Sequence, residues 1–178
     1  MRGYLTIIGV TATALTGTVW AQAQPYGAYQ SRPIKALSAE DIAGLRAGNG
    51  MAMAMPAELN RYPGPMHVLE NAKALGLSAE QIAALTQRRD AMRTEAIVLG
   101  EQVLAGEGEL DTLFRSGTAN AAAIERITAK LGDLRGRLRA VHLRTHLDTR
   151  ASLTEAQIAT YQSLRGYDSP ASDVRHKH

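Results

Sequence analysis

Histidines, methionines and arginines are the side chains of this sequence best placed to do chemistry. His142 and His146 stand four residues apart. On a helix that spacing puts both imidazoles on one face, where they can share a divalent cation. Two ligands leave such a site incomplete. His67, alone in its stretch, and Asp148 are the candidates to complete it. Zn, Ni, Co and Cu are the divalent metals such a set would take, although no cofactor is required by any residue pattern. Leu143, not Glu, follows His142, so the H-E-x-x-H arrangement of helical zinc proteases is absent. The competing reading of the pair is structural: two histidines near a helix end, where positive charge is favoured.

Met51, Met53, Met55 and Met66 form a methionine-rich run. Thioethers bind soft ions such as Cu(I), but they also fill irregular core space and make adaptable binding surfaces. Met51 and Met55 are expected on one helix face, with Met53 on another. Arg88, Arg89 and Arg93, then Arg135, Arg137, Arg139 and Arg144, recur along two expected long helices. They read as solvated side chains whose stems cover apolar surface, or as a cationic cradle for acidic or unfolded polypeptides. Met66, Arg88 and Arg89 are the candidate client surface. Glu107, Glu109 and Asp111 are expected in a loop, with no histidine beside them in sequence to make an acid–base pair. There is no cysteine nucleophile and no glycine-rich phosphate loop after a strand. A binding protein, not an enzyme, is the expectation.

These residues need elements to hold them, and the sequence predicts helices throughout. Aromatic residues are only 4% of 178, so Ala, Leu, Ile, Val and Met must build the core, a palette that favours helices over strands. One helix is expected from near Ser38 towards Leu59, weakened around Gly48-Asn49-Gly50. The stretch Tyr62-Pro63-Gly64-Pro65 breaks it. A short helix follows from Pro65 to about Ala74, ended by Gly76. A long helix is expected from Ser78 to about Ala105 on the apolar positions Ile82, Leu85, Met92, Ala96, Leu99 and Val103. Gly106 and Gly108 should break it before a short turn over Glu109 to Phe114. From Asn120, Ile124, Ile127, Leu131, Leu134, Leu138 and Val141 are spaced 3, 4, 3, 4, 3. That is the seam of helices packed side by side at a shallow angle. A last helix runs from Thr154 to about Leu164.

One hexapeptide pattern occurs three times: Leu37-Ser38-Ala39-Glu40-Asp41-Ile42, Leu77-Ser78-Ala79-Glu80-Gln81-Ile82 and Leu153-Thr154-Glu155-Ala156-Gln157-Ile158. Its local meaning is a capping box with a hydrophobic staple. Ser or Thr caps the helix, Asp or Gln three residues on reaches back, and Leu before the cap packs on the Ile. Each cap contributes about 1 kcal/mol.

The second and third copies, carried by Leu77, Ser78, Gln81 and by Leu153, Thr154, Gln157, resemble the paired L-T-x-x-Q motifs of the periplasmic Spy/CpxP family. That family includes zinc-responsive ZraP proteins and is related to heavy-metal sensors such as CnrX. The resemblance covers roughly residues 34–167. It implies an all-α fold, a long antiparallel helical hairpin with shorter flanking helices, and a curved homodimer. It also implies a periplasmic stress protein that holds unfolded or stress-damaged envelope proteins without ATP. Its alternatives are a heavy-metal sensor or resistance accessory, and a regulator of a sensor kinase or anti-sigma factor. The metal-sensing branch places an H-x-x-x-H pair ahead of the first motif. Here His67 has Asn71 four residues on, so that ligand set does not carry over.

The N-terminus fits export. Met1-Arg2 precedes an uncharged run from Tyr4 to Val19, and Ala21-Gln22-Ala23 offers small-x-small cleavage after Ala21 or Ala23. The run is too short and too rich in Thr and Gly to read as a membrane span, and the competing reading is an uncleaved N-terminal anchor. The expected organisation is a signal peptide over 1–23, a flexible leader over 24–36, a helical domain over 37–167 and a polar, disordered tail over 168–178 carrying His176 and His178. The net charge of +3 is no nucleic-acid footprint. Without cysteine, no disulfide supports the fold in an oxidising compartment.

Overall fold

A computed structural model describes residues 26–168. The expected signal peptide and all of the expected tail beyond Asp168 lie outside the described residues. The chain divides into two compact units, Met1–Ser31 and Arg32–His178. In the first, the described residues hold one short turn, Gly27–Tyr29. The second contains six helices and no strand among the described residues: α1 Ala39–Ala47, α2 Met55–Glu58, α3 Pro65–Glu70, α4 Ala79–Arg115, α5 Ala121–Ala151 and α6 Glu155–Arg165. The fold is all-α, as the composition predicts.

The three motif copies begin α1, α4 and α6. Ser38, Ser78 and Thr154 each accept the backbone N–H three residues on, and Asp41, Gln81 and Gln157 each accept the N–H of the cap. The Ser38 hydrogen bonds hold the Asp41 carboxyl below its ordinary value. Asn120 caps α5 in the same manner without the reciprocal bond. These caps explain why the starts of the helices are read so closely from sequence.

The ends are less legible. The expected helix towards Leu59 stops at Ala47. Gly48 takes a left-handed conformation, φ 68°, which an unbranched backbone without Cβ adopts freely. Met51 and Ala52 continue through positive φ, so Met51 and Met55 do not share a helix face. The short helix begun by Pro65 ends at Glu70 and not at Ala74. The expected break of the long helix at Gly106 and Gly108 is also absent: α4 runs unbroken to Arg115. A Cβ on Gly106 would sit 2.8 Å from Leu131 Cδ2. Packing against α5 therefore uses the glycine, and outweighs its helix cost of about 1 kcal/mol.

α4 and α5 pack side by side. Their cross-links rise along one helix as they fall along the other: Glu95–Arg144 at 3.6 Å, Glu107–Arg135 at 2.7 Å and Glu109–Arg126 at 2.7 Å. Glu107, Glu109 and Asp111 thus stand on a helix and not in a loop, and all three are ion-paired, Asp111 with Arg115. The seam is dry. Ile127, Leu131, Leu134, Leu138 and Val141 meet Ala96, Leu99, Val103 and Leu104 in one core, joined by Leu37 and Leu45. α1 approaches α4 backbone to backbone at Gly100, where a Cβ would lie 2.3 Å from the Leu45 carbonyl oxygen. A second, smaller core gathers Val68, Leu75, Leu85 and Tyr161, flanked by the motif leucines Leu77 and Leu153.

Candidate functional site

The second and third caps do more than start helices. The Gln81 amide donates to Gln157 Oε1 at 3.0 Å and to the Ser152 carbonyl at 2.8 Å, and the Gln157 amide returns a bond to Gln81 Oε1 at 3.1 Å. Each glutamine therefore serves its own cap and its partner at once. An Asp at either position could accept but not donate. The first copy, which has Asp41, caps only its own helix through that residue. Arg88 lies close by. It donates to the Asp148 carbonyl at 2.9 Å and to the Ser152 hydroxyl, which ties α4 to the end of α5.

Beside this junction lies an open cleft of about 710 Å³. Its walls come from the end of α1 and the turn after it, from α2 and α3, and from one stretch each of α4 and α5. Of the candidate residues, His67, His142, His146, Met66 and Arg89 all line it, whereas Arg88 does not. Met51, Met55 and Met92 line it as well, as do Leu59 and Arg93. Met53 faces elsewhere, against the long-helix core. Met51, Met55, Leu59 and Met66 are 40%, 52%, 56% and 52% exposed. The largest apolar side chains left in solvent by residues 51–66 are thus drawn around one opening.

The histidines differ in environment. His142 is 4% exposed, and its Nε2 has no hydrogen-bond partner among the described residues. Burial first, and the neighbouring His146 second, hold its pKa below the ordinary 6.5, so the ring is neutral at pH 7. A Cβ on Gly50 would come within 3.7 Å of its Nδ1. His146 is fixed by donating from Nδ1 to the Tyr62 carbonyl at 2.7 Å. A carbonyl only accepts, so the proton is on Nδ1. His67 meets Glu70 at 2.9 Å on the outer rim. No group of three or more His, Cys, Asp or Glu side chains among the described residues is arranged to hold a metal ion.

Glu58 was not signalled by any spacing in the sequence. Among the described residues it is the only carboxylate lining the cleft, and it is fully engaged. It accepts from the Gly64 N–H at 3.1 Å and from the Tyr161 hydroxyl, and it stands 3.8 Å from Arg165 and 3.7 Å from His146. Burial and that bond push the Tyr161 phenol well above its ordinary value. Its partners lie up to 109 positions away, and no local pattern encodes such a meeting.

Comparison with protein-family models, with curated proteins and with solved structures finds no match. No helix among the described residues is long and apolar enough to cross a membrane.

Proposed function

We propose that the protein is an exported, ATP-independent holdase of the Spy/CpxP type, which holds apolar segments of unfolded envelope proteins at the methionine-lined cleft. The carrying observation is the gathering of Met51, Met55, Leu59 and Met66, each at least 40% exposed, around one opening. Contiguous exposed apolar surface marks an interaction site, and flexible thioethers adapt to many partners. The paired capping motifs support the same reading. In it, α4 and α5 form the long antiparallel hairpin of that family, and two copies associate as a curved homodimer.

The test is light scattering of a chemically denatured client diluted into metal-free buffer with the full chain. Suppressed aggregation near equimolar ratio is expected, and its loss in a Met55→Glu/Met66→Glu variant. No suppression, or equal suppression by the variant, would sink the reading. Dimerisation is checked by the mass of the full chain in solution.

A second reading, a metal-responsive protein, rests on the His142–His146 pair, which lines the cleft with His67 but lacks an arranged third ligand among the described residues. It requires stoichiometric binding of Zn, Ni, Co or Cu that disappears in His142→Ala/His146→Ala.

A further inference from the structure

The charge on the cleft wall is one-sided. Arg93 donates from Nε to the Ala47 carbonyl at 3.1 Å, and no carboxylate pairs with it among the described residues. Arg89, one turn earlier on α4, lines the same cleft, and Asp90 takes one edge of its guanidinium at 2.8 Å. The one carboxylate on the wall, Glu58, is already surrounded by donors and Arg165. His142 is neutral and adds no charge. Apolar side chains therefore lie beside a guanidinium with which no carboxylate among the described residues pairs. The volume, about 710 Å³, falls in the range of small-molecule sites, about 300–1,000 Å³, which are mostly apolar with a few fixed polar groups.

We infer that this cleft is a binding site for a single-chain anionic amphiphile, of which a long-chain carboxylate is the simplest. The chain lies among Met51, Met55, Leu59 and Met66, and the carboxylate meets Arg93. A metal cation is opposed by the guanidinium groups. An uncharged apolar ligand leaves them unused. Methionine suits a flexible chain, because its own unbranched side chain follows the ligand without fixed shape. A guanidinium suits the carboxylate, because its N–H groups form a planar fork. The inference goes beyond the holdase reading and does not depend on it.

The test uses the full chain and dodecanoate below its micellar concentration. Displacement of a fluorescent fatty-acid analogue reads affinity, and native mass spectrometry reads stoichiometry. One dodecanoate per chain is expected, with affinity about tenfold or more above that of dodecanol, since a charge-assisted contact adds to the shared burial of the chain. Arg93→Gln should remove that preference and leave dodecanol binding unchanged. Arg93 is exposed, and a thermal melt confirms that the variant folds. Met55→Glu is the second variant: on the exposed wall, its charge should repel dodecanoate more than dodecanol. Equal affinity for the two ligands, an Arg93→Gln variant that keeps the preference, or no displacement at all overturns the inference. Failure of the scattering assay with dodecanoate binding intact would sink only the holdase reading.

Discussion

The long-helix seam and the cleft both gather apolar side chains, one in the interior and one in solvent. In the seam, Ala96, Leu99 and Val103 on α4 face Ile127, Leu131, Leu134 and Leu138 on α5, and none is more than 5% exposed. Around the cleft, Met51, Met55, Leu59 and Met66 stay in solvent. Residue type follows this division. Branched side chains of defined shape fill the seam, where a unique packing must be specified. Unbranched methionines surround the cleft, where no fixed partner sets a shape. The division is not absolute, since Met53 and Met92 pack against the seam core and Leu59 lines the cleft.

The largest test of that contrast is truncation. Leu99→Ala and Leu134→Ala should each destabilise by about 2–5 kcal/mol, through lost burial and the cavity left behind. Met55→Ala and Met66→Ala should stay within about 0.5 kcal/mol, as exposed positions do. Urea unfolding measures both. A Met66→Ala cost equal to that of Leu99→Ala would mean that the cleft wall is core after all.

Glycine scanning sharpens the comparison inside the seam. Gly100→Ala should cost about 1–3 kcal/mol by overpacking, because a Cβ there meets the Leu45 carbonyl oxygen at 2.3 Å and backbone cannot swing aside. Gly136→Ala, on the open face of α5 with nothing within 4 Å, should instead stabilise by about 0.5–1 kcal/mol through helix propensity. Shifts in the unfolding midpoint should therefore have opposite signs.

A smaller effect separates the two kinds of cap. Gln157→Ala should cost about 1 kcal/mol, and a double-mutant cycle with Gln81→Ala should show coupling of about 0.5 kcal/mol or more, since each amide serves the other. The same cycle between Asp41→Ala and Gln81→Ala should show none.

The smallest effect is one of pH at the cleft. The folded protein holds His142 below its ordinary pKa of 6.5, so the unfolded chain binds this proton more readily. Above about pH 6.5 both states carry neutral His142 and the residue costs nothing. As pH falls below that value, the unfolded state gains protons first and stability declines, until the folded-state value is passed. Thermal melts at pH 7.5 and pH 5.5 should show the decline, and His142→Gln should flatten it. An unchanged slope would assign the decline to other groups.

The sequence makes the helix starts and the seam legible, and for one reason: both are written in local spacing. A cap needs residues three apart, and a seam needs apolar residues three and four apart. Residues 124 to 141 and the caps at Ser38, Ser78, Asn120 and Thr154 follow directly. The run of α4 through Gly106 is not legible, because the reason lies in Leu131, 25 positions on in the chain and opposite in space. Neither is the turn after Ala47, where backbone contact with Arg93 and left-handed residues at Met51 and Ala52 replace the expected helix. Within the site, the histidines and Met66 stood out by type alone. Glu58 did not, because its importance comes from the distant donors that surround it; Arg93 stood out only as one of the arginines of the expected cationic cradle, and its place at the cleft was not encoded locally.

The glutamine bridge also sets how the molecule carries load. Gln81 and Gln157 are 76 positions apart, yet they touch, so the chain leaves on α4 and comes back on α5 to the point of departure. A pull on the N-terminal side of this unit enters ahead of α1, which packs on α4 at Gly100. Leu37 and Leu45 sit in the core between α4 and α5, so the long helices are loaded from the start. The bridge, with Arg88 clamping the end of α5 beside it, shares that load where α4 begins and α5 ends.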